Sequence, residues 1–202
     1  DVRKLEQFLA EECELDPLPL KTEDGIRESG KSPVSSLQSP VSTGQGGVFH
    51  RKTGRRIRAI LPVHVFGSLC DMERLMAIAM KYRLVVIEDA TEALGSTMKT
   101  GGLAGQHAGA MGEYGCYSFN GNKIVTCGGG GMIVARDPQK LAKAKYLTTQ
   151  AKDDELHYLH NEIGYNYRLT AIQAAMGLAQ VEQLPEFIQR KTYQEISELL
   201  GR

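Results

Sequence analysis

Neither sign of charge is in excess in this chain: 24 basic and 24 acidic side chains cancel to a net charge of zero over 202 residues. Nucleic acids and anionic membrane surfaces attract proteins through a one-sided basic surface, so neither is an expected partner. No apolar run approaches the roughly 20 residues of a membrane-spanning helix. Cysteine is sparse. Cys13, Cys70, Cys116 and Cys127 form no Cys-x-x-Cys pair, which removes the zinc-knuckle and dithiol-redox readings. Scattered thiols fit a reducing cytoplasm better than a disulfide framework, and their expected role is to fill small core spaces. No spacing suits a metal, and no Ser-His-Asp set is recognisable. The chain opens Asp1-Val2-Arg3-Lys4, with no initiator Met and no signal peptide, so it is expected to be a cytoplasmic fragment or processed chain.

What is present is a hydrophobic content of 42%, enough for the core of one or two domains. Residues 2 to 13 carry Leu5, Phe8 and Leu9 at helical spacing. From 16 to 47 the chain turns rich in Pro, Ser and Thr and poor in large apolar residues, which predicts a flexible or disordered insert. Arg51 to Arg58 is a basic run, expected on a solvated face or hairpin. Ala59 to Val65 predicts a strand. Asp71 predicts the N-cap of a helix to about Tyr82, with Met72, Leu75, Met76 and Ala79 on its apolar face. Leu84-Val85-Val86-Ile87 predicts a strand buried on both faces. Strand, helix and strand with short links make a βαβ unit and imply a parallel sheet. Further strands are expected at Tyr114–Phe119 and Met132–Ala135. Helices are expected after Asp137-Pro138, after Thr170, and beyond Pro185 toward Leu200.

Chemistry concentrates in Ser118-Phe119-Asn120-Gly121-Asn122-Lys123, followed by glycines from Gly128 to Gly131. Such glycines allow positive φ and close backbone approach. A lysine shielded from water in such a frame is a candidate nucleophilic amine. Ser118 offers a hydroxyl to a phosphate oxygen. The glycines match neither a Gly-Lys-Ser/Thr phosphate loop nor a dinucleotide fingerprint. Asp89 ends an apolar strand, and in open α/β sheets ligands bind beyond the carboxyl ends of strands. Its competing role is to cap the next segment. His64, His157 and His160 read as a core or loop histidine and two surface histidines.

Four segments then agree in order and spacing: Glu88-Asp89-Ala90-Thr91-Glu92-Ala93-Leu94-Gly95, Gly115-Cys116-Tyr117-Ser118-Phe119-Asn120-Gly121-Asn122-Lys123, Gly128 to Gly131, and Gly164-Tyr165-Asn166-Tyr167-Arg168. Together they resemble the DegT/DnrJ/EryC1/StrS family of pyridoxal-phosphate sugar aminotransferases, from about Arg58 to Lys191. The resemblance implies an α/β fold, the large domain of a fold-type I pyridoxal-phosphate transferase, with a mainly parallel sheet, flanking helices and parts missing. It implies pyridoxal 5'-phosphate as cofactor, with a Schiff base on Lys123. Asp89 would face the pyridinium nitrogen and Glu92 the ring and its phenolic oxygen. Many relatives carry Gln at the position of Glu92, which leaves its charge state open at this point. Ser118 would bind the cofactor phosphate, and Asn166 would reach the phosphate of a neighbouring subunit in a homodimer with a shared site. A nucleotide-linked keto-sugar and an amino-acid donor, L-glutamate, are the implied substrates.

The resemblance also has gaps. The family's Ser-Gly-Thr helix start, which grips the cofactor phosphate, has no match in residues 1 to 58, and only one helix follows Lys191. The expected organisation is an N-terminal helix fragment over 1–15, the insert over 16–47, a cofactor-binding core over 48–185 and the start of a C-terminal region over 186–202. Two alternatives stay open: a catalytically silent fragment that offers an oligomer surface, and a sugar dehydratase relative. Lys123 speaks against the second, because those relatives carry His in its place.

Overall fold

A computed structural model describes residues 1–16, 46–154 and 156–199. Almost all of the predicted insert lies outside them. Helix α1, Val2–Glu11, is capped by the Asp1 side chain, which accepts from the Arg3 and Lys4 amides. It stops earlier than expected because Cys13 opens a strand. That strand, β1 (Cys13–Leu15), pairs antiparallel with β2 (Val48–His50), which pairs with β3 (Arg56–Ile57). The basic run is thus the turn and return strand of the β2–β3 hairpin.

The second sheet has the order β4-β5-β6-β7, with β4 at Ala59–Ile60, β5 at Val85–Asp89, β6 at Tyr114–Ser118 and β7 at Gly131–Ala135. Strands β4, β5 and β6 run parallel, and β7 returns antiparallel to β6. Strand β4 is shorter than predicted. Pro62 has no N–H to donate to a ladder, so pairing lapses after Ile60 and resumes only as a bridge from Val63 to Asp89. Val65–Gly67 is a 3-10 turn, not strand. Strand β5 is not buried on both faces. Val86 and Glu88 are buried while Val85, Ile87 and Asp89 are half-buried, the alternation of a sheet with unequal cover.

Helix α2, Met72–Tyr82, completes the βαβ unit between the parallel strands β4 and β5. Asp71 caps it by accepting from the Arg74 amide, and Arg83 ends it in the left-handed conformation. Leu75, Ile78, Ala79 and Tyr82 recur at one helical face and are all buried, joined by Leu9, Cys13, Val48, Ile60, Leu84, Val86 and Met111. Burying one such leucine favours the folded chain by about 1.5–3 kcal/mol. The N-terminal helix and the small sheet therefore share one core with the βαβ unit. Strand β6 approaches the 109–112 loop so closely that a Cβ at Gly115 would overlap the Gly109 carbonyl.

Helix α3, Pro138–Thr148, has its Asp137 cap and first-turn proline as expected. Helix α4, Ala171–Val181, starts with a capping box in which Thr170 and Gln173 satisfy each other's backbone. Helix α5, Leu184–Leu199, follows after a two-residue break that falls just before the expected interruption at Pro185, which instead sits in the first turn of the helix. The four cysteines are free thiols, Cys13 and Cys127 buried and the other two half-buried. Among the described residues no helix is long and apolar enough to cross a membrane.

Candidate active site

Because β5 and β6 are parallel, Asp89 and Ser118 end at the same edge of the sheet, with Asp89 in register with Cys116. Lys123 lies in the turn just beyond β6. Two buried side chains, Phe119 and Val125, hold the ends of that turn in a small apolar cluster with Cys127. Backbone bonds close it: the Lys123 amide donates to Asn120 O at 3.1 Å, and the Cys127 amide to Phe119 O at 3.1 Å. Helix α4 adds a clamp, Gln180 Oε1 accepting from the Thr126 amide at 2.7 Å. The glycine frame works differently from expectation. Only Gly128 and Gly130 of this group use positive φ. They shape the hairpin into β7, whereas Gly121 keeps an ordinary backbone.

The lysine side chain enters a cavity of about 860 Å³ lined by Glu92, Ser118, Lys123, Phe66, Ile188 and Lys191, among others. Lys123 Nζ stands 3.3 Å from Glu92 Oε1, with the lysine side chain only 15% exposed. The other oxygen, Glu92 Oε2, accepts from the Phe66 amide at 2.8 Å. That bond first, and the bond from Lys123 second, hold the Glu92 carboxyl below the usual carboxylate range. Glu92 is therefore ionised at neutral pH. Ser118 Oγ accepts from the Asn120 amide at 3.3 Å, which leaves its proton free to donate.

Asp89 has both expected characters. One oxygen accepts from the Thr91 amide at 3.1 Å, the local capping role, and the half-buried carboxylate stays at the strand end beside the cavity without lining it. Asn166 is not brought to the cavity. It is exposed, in a segment that bridges to Thr149 and is braced by stacked Tyr165 and Tyr167 rings 5.2 Å apart. His64 is a satisfied core histidine, and His157 and His160 are exposed. Phe66, Ile188 and Lys191 were not legible as site residues. The first acts through its backbone amide, which no residue type announces, and the other two arrive from α5, more than sixty residues away from Lys123 in sequence.

The family model for DegT/DnrJ/EryC1/StrS aminotransferases matches residues 49–201. The chain belongs to that family. Among its relatives, the GDP-perosamine synthase of Caulobacter vibrioides is 44% identical over 133 residues, 66% of this chain and 34% of that one. The structure of a DegT DnrJ EryC1 StrS aminotransferase from Brucella abortus is 28% identical and superposes with a TM-score of 0.64, over 75% of this chain and 40% of that one. A Streptococcus pneumoniae family chain in its PLP form is 26% identical with a TM-score of 0.59, over 67% of this chain and 38% of that one. The chain spans 34% to 45% of the length of the first curated relatives it matches. These structures carry the fold-type I large domain, and the aminotransferases of the family depend on pyridoxal phosphate.

The residues present fit that cofactor. An amine and a donor hydroxyl line a cavity within the roughly 300–1,000 Å³ of small-ligand sites, and a strand-end carboxylate, Asp89, lies at the same sheet edge.

On the opposite face of β5, Glu88 is fully buried. Burial pushes its carboxyl up, but bonds from His64 and from the Gly112, Gly109 and Met111 amides outweigh burial and hold it below the ordinary range. A carboxyl lowered in the folded state stabilises fully above its unfolded value and loses that contribution as pH falls through the folded value. Thermal melts should therefore show stability falling from about pH 4 downward. In Glu88→Gln, a less stable protein overall, that acid-dependent fall should be shallower.

Proposed function

We propose that this chain forms the pyridoxal-phosphate core of an aminotransferase acting on a nucleotide-linked keto-sugar, a 4-keto-6-deoxyhexose, in cell-surface polysaccharide or amino-sugar biosynthesis. The amine comes from an amino acid, L-glutamate. The observation that carries the reading is the Lys123 amine, its side chain mostly covered, set in a cavity against the Glu92 carboxylate and beside Ser118. The sugar class draws support from relatives named as GDP-perosamine synthases.

Bound pyridoxal phosphate supplies an electron sink that lets an amino group pass from one substrate to the other. Lys123 Nζ holds the cofactor, and afterwards moves the proton at the substrate carbon. The Asp89 carboxylate holds a proton on the ring nitrogen. Glu92 would face the ring and its phenolic oxygen, and its bond to the Phe66 amide orients the carboxylate. Ser118 Oγ–H donates to the phosphate. Asn166, exposed on its tyrosine-braced segment, serves the phosphate of the second subunit of a homodimer.

Titration with pyridoxal phosphate tests the reading. The protein should develop the absorption band of lysine-bound cofactor, and Lys123→Ala should not. No band in the native protein, or a band that survives the substitution, would refute it.

A further inference from the structure

Glu88 and His64 form the one buried titratable pair among the described residues, and the chemistry above does not use it. Glu88 Oε1 accepts from the Met111 amide at 2.7 Å and the Gly112 amide at 2.5 Å. Glu88 Oε2 accepts from the Gly109 amide at 2.8 Å and meets His64 Nε2 at 3.0 Å. The Cys70 amide points at His64 Nδ1 from 3.2 Å. A peptide N–H only donates, so Nδ1 carries no proton and Nε2 does. The ring is therefore neutral, in a fixed tautomer, and donates to the carboxylate.

A ring bonded at both nitrogens pins its own backbone. The His64 amide donates to Asp89 O at 3.0 Å, at the strand end that faces the cavity. The Val65–Gly67 turn follows at once. Phe66 there has φ 52°, a left-handed conformation that is costly for a bulky residue. Such a conformation persists only where the surroundings over-determine it. His64 holds one end of the turn, and Ser96 Oγ, donating to Gly67 O at 2.9 Å, holds the other. The turn aims the Phe66 amide at Glu92 Oε2, and the other oxygen of Glu92 faces Lys123.

We infer that Glu88 and His64 are positioning residues for the Lys123–Glu92 pair, acting across the sheet through the strained Phe66 turn. The inference rests on Lys123 being the reacting amine. Competitive labelling of the cofactor-free protein with an amine-reactive anhydride tests it, with Lys123 read relative to Lys99 and Lys191 of the same cavity. Glu92→Gln frees the amine and should raise the relative labelling of Lys123 about threefold, the scale of a partly exposed ion pair. Glu88→Gln and His64→Leu should raise it in the same direction. His64→Gln, which keeps a donor toward Glu88, should stay at the native ratio. In a Glu92→Gln background, Glu88→Gln should add nothing, because both act through one carboxylate.

An unchanged ratio, or a parallel rise at all three lysines, would overturn the inference in favour of a purely structural pair. Where Glu88→Gln does not fold, the two His64 variants carry the comparison, and loss of fold in His64→Leu as well would also overturn it. The cofactor titration above is a separate measurement, so failure of the aminotransferase reading and failure of this inference are distinguishable.

Discussion

Lys123→Ala is expected to abolish amino transfer, with a loss of at least about 10²–10⁴ from the proton-moving role alone. The covalent hold on the cofactor disappears in addition, so the loss should be larger than for any other side chain on the cavity. Lys123→Arg separates charge from chemistry. Its guanidinium can still pair with the Glu92 carboxylate but stays protonated and is no nucleophile. If the ion pair at 3.3 Å were the purpose of this lysine, the arginine variant would keep activity. The expected result is that both variants are inactive while both melt close to the native protein, since a partly exposed pair adds little stability. Single-turnover measurement of the amino-acid half-reaction, with melting curves alongside, checks both halves of the statement.

Glu88→Ala should cause the largest loss of stability of any single change at this edge of the sheet. Four donors converge on its carboxylate: the Gly109, Met111 and Gly112 amides and His64 Nε2. Truncation leaves all four buried with nothing to accept them. Breaking a buried polar cluster from one side costs about 3–5 kcal/mol. In a chain of this length each kcal/mol moves the melting temperature by about 2–4 °C, so a fall of roughly 6–20 °C is expected. Glu88→Gln should fall between, because its amide oxygen still accepts while its NH₂ faces donors. A Glu88→Ala protein that melts within a degree or two of the native one would show that water or a neighbour replaces the carboxylate at no cost.

Local rules of sequence carried most of the architecture. Asp71, Asp137 and Thr170 cap the helices they were expected to cap, because a side-chain oxygen facing the first free amides is a short-range interaction. The βαβ unit followed from the spacing of Leu75, Ala79 and the run at 84–87. The ends of strands were harder. Pro62 cut β4 to two residues, and Cys13 left the helix to join a strand contributed from residue 48 onward. Pairing of that kind depends on chain segments distant in sequence, which no window along the chain contains.

By itself, the sequence singled out the groups proposed to react: one framed lysine, one strand-end acid, one serine, in an order shared with a family of aminotransferases. Residue type and spacing suffice there because the chemistry of an amine, a carboxylate and a hydroxyl is local. Only the tertiary structure decided how they meet. Parallel pairing of β5 and β6 brings Asp89 and Ser118 to one edge, and the buried Phe119 and Val125 hold the lysine turn in place. The environment of Glu92, open from sequence because Gln serves there in relatives, favours the charged form through a backbone amide at 2.8 Å and the Lys123 amine at 3.3 Å. A backbone donor has no letter in the sequence; its direction exists only once the chain has folded around it.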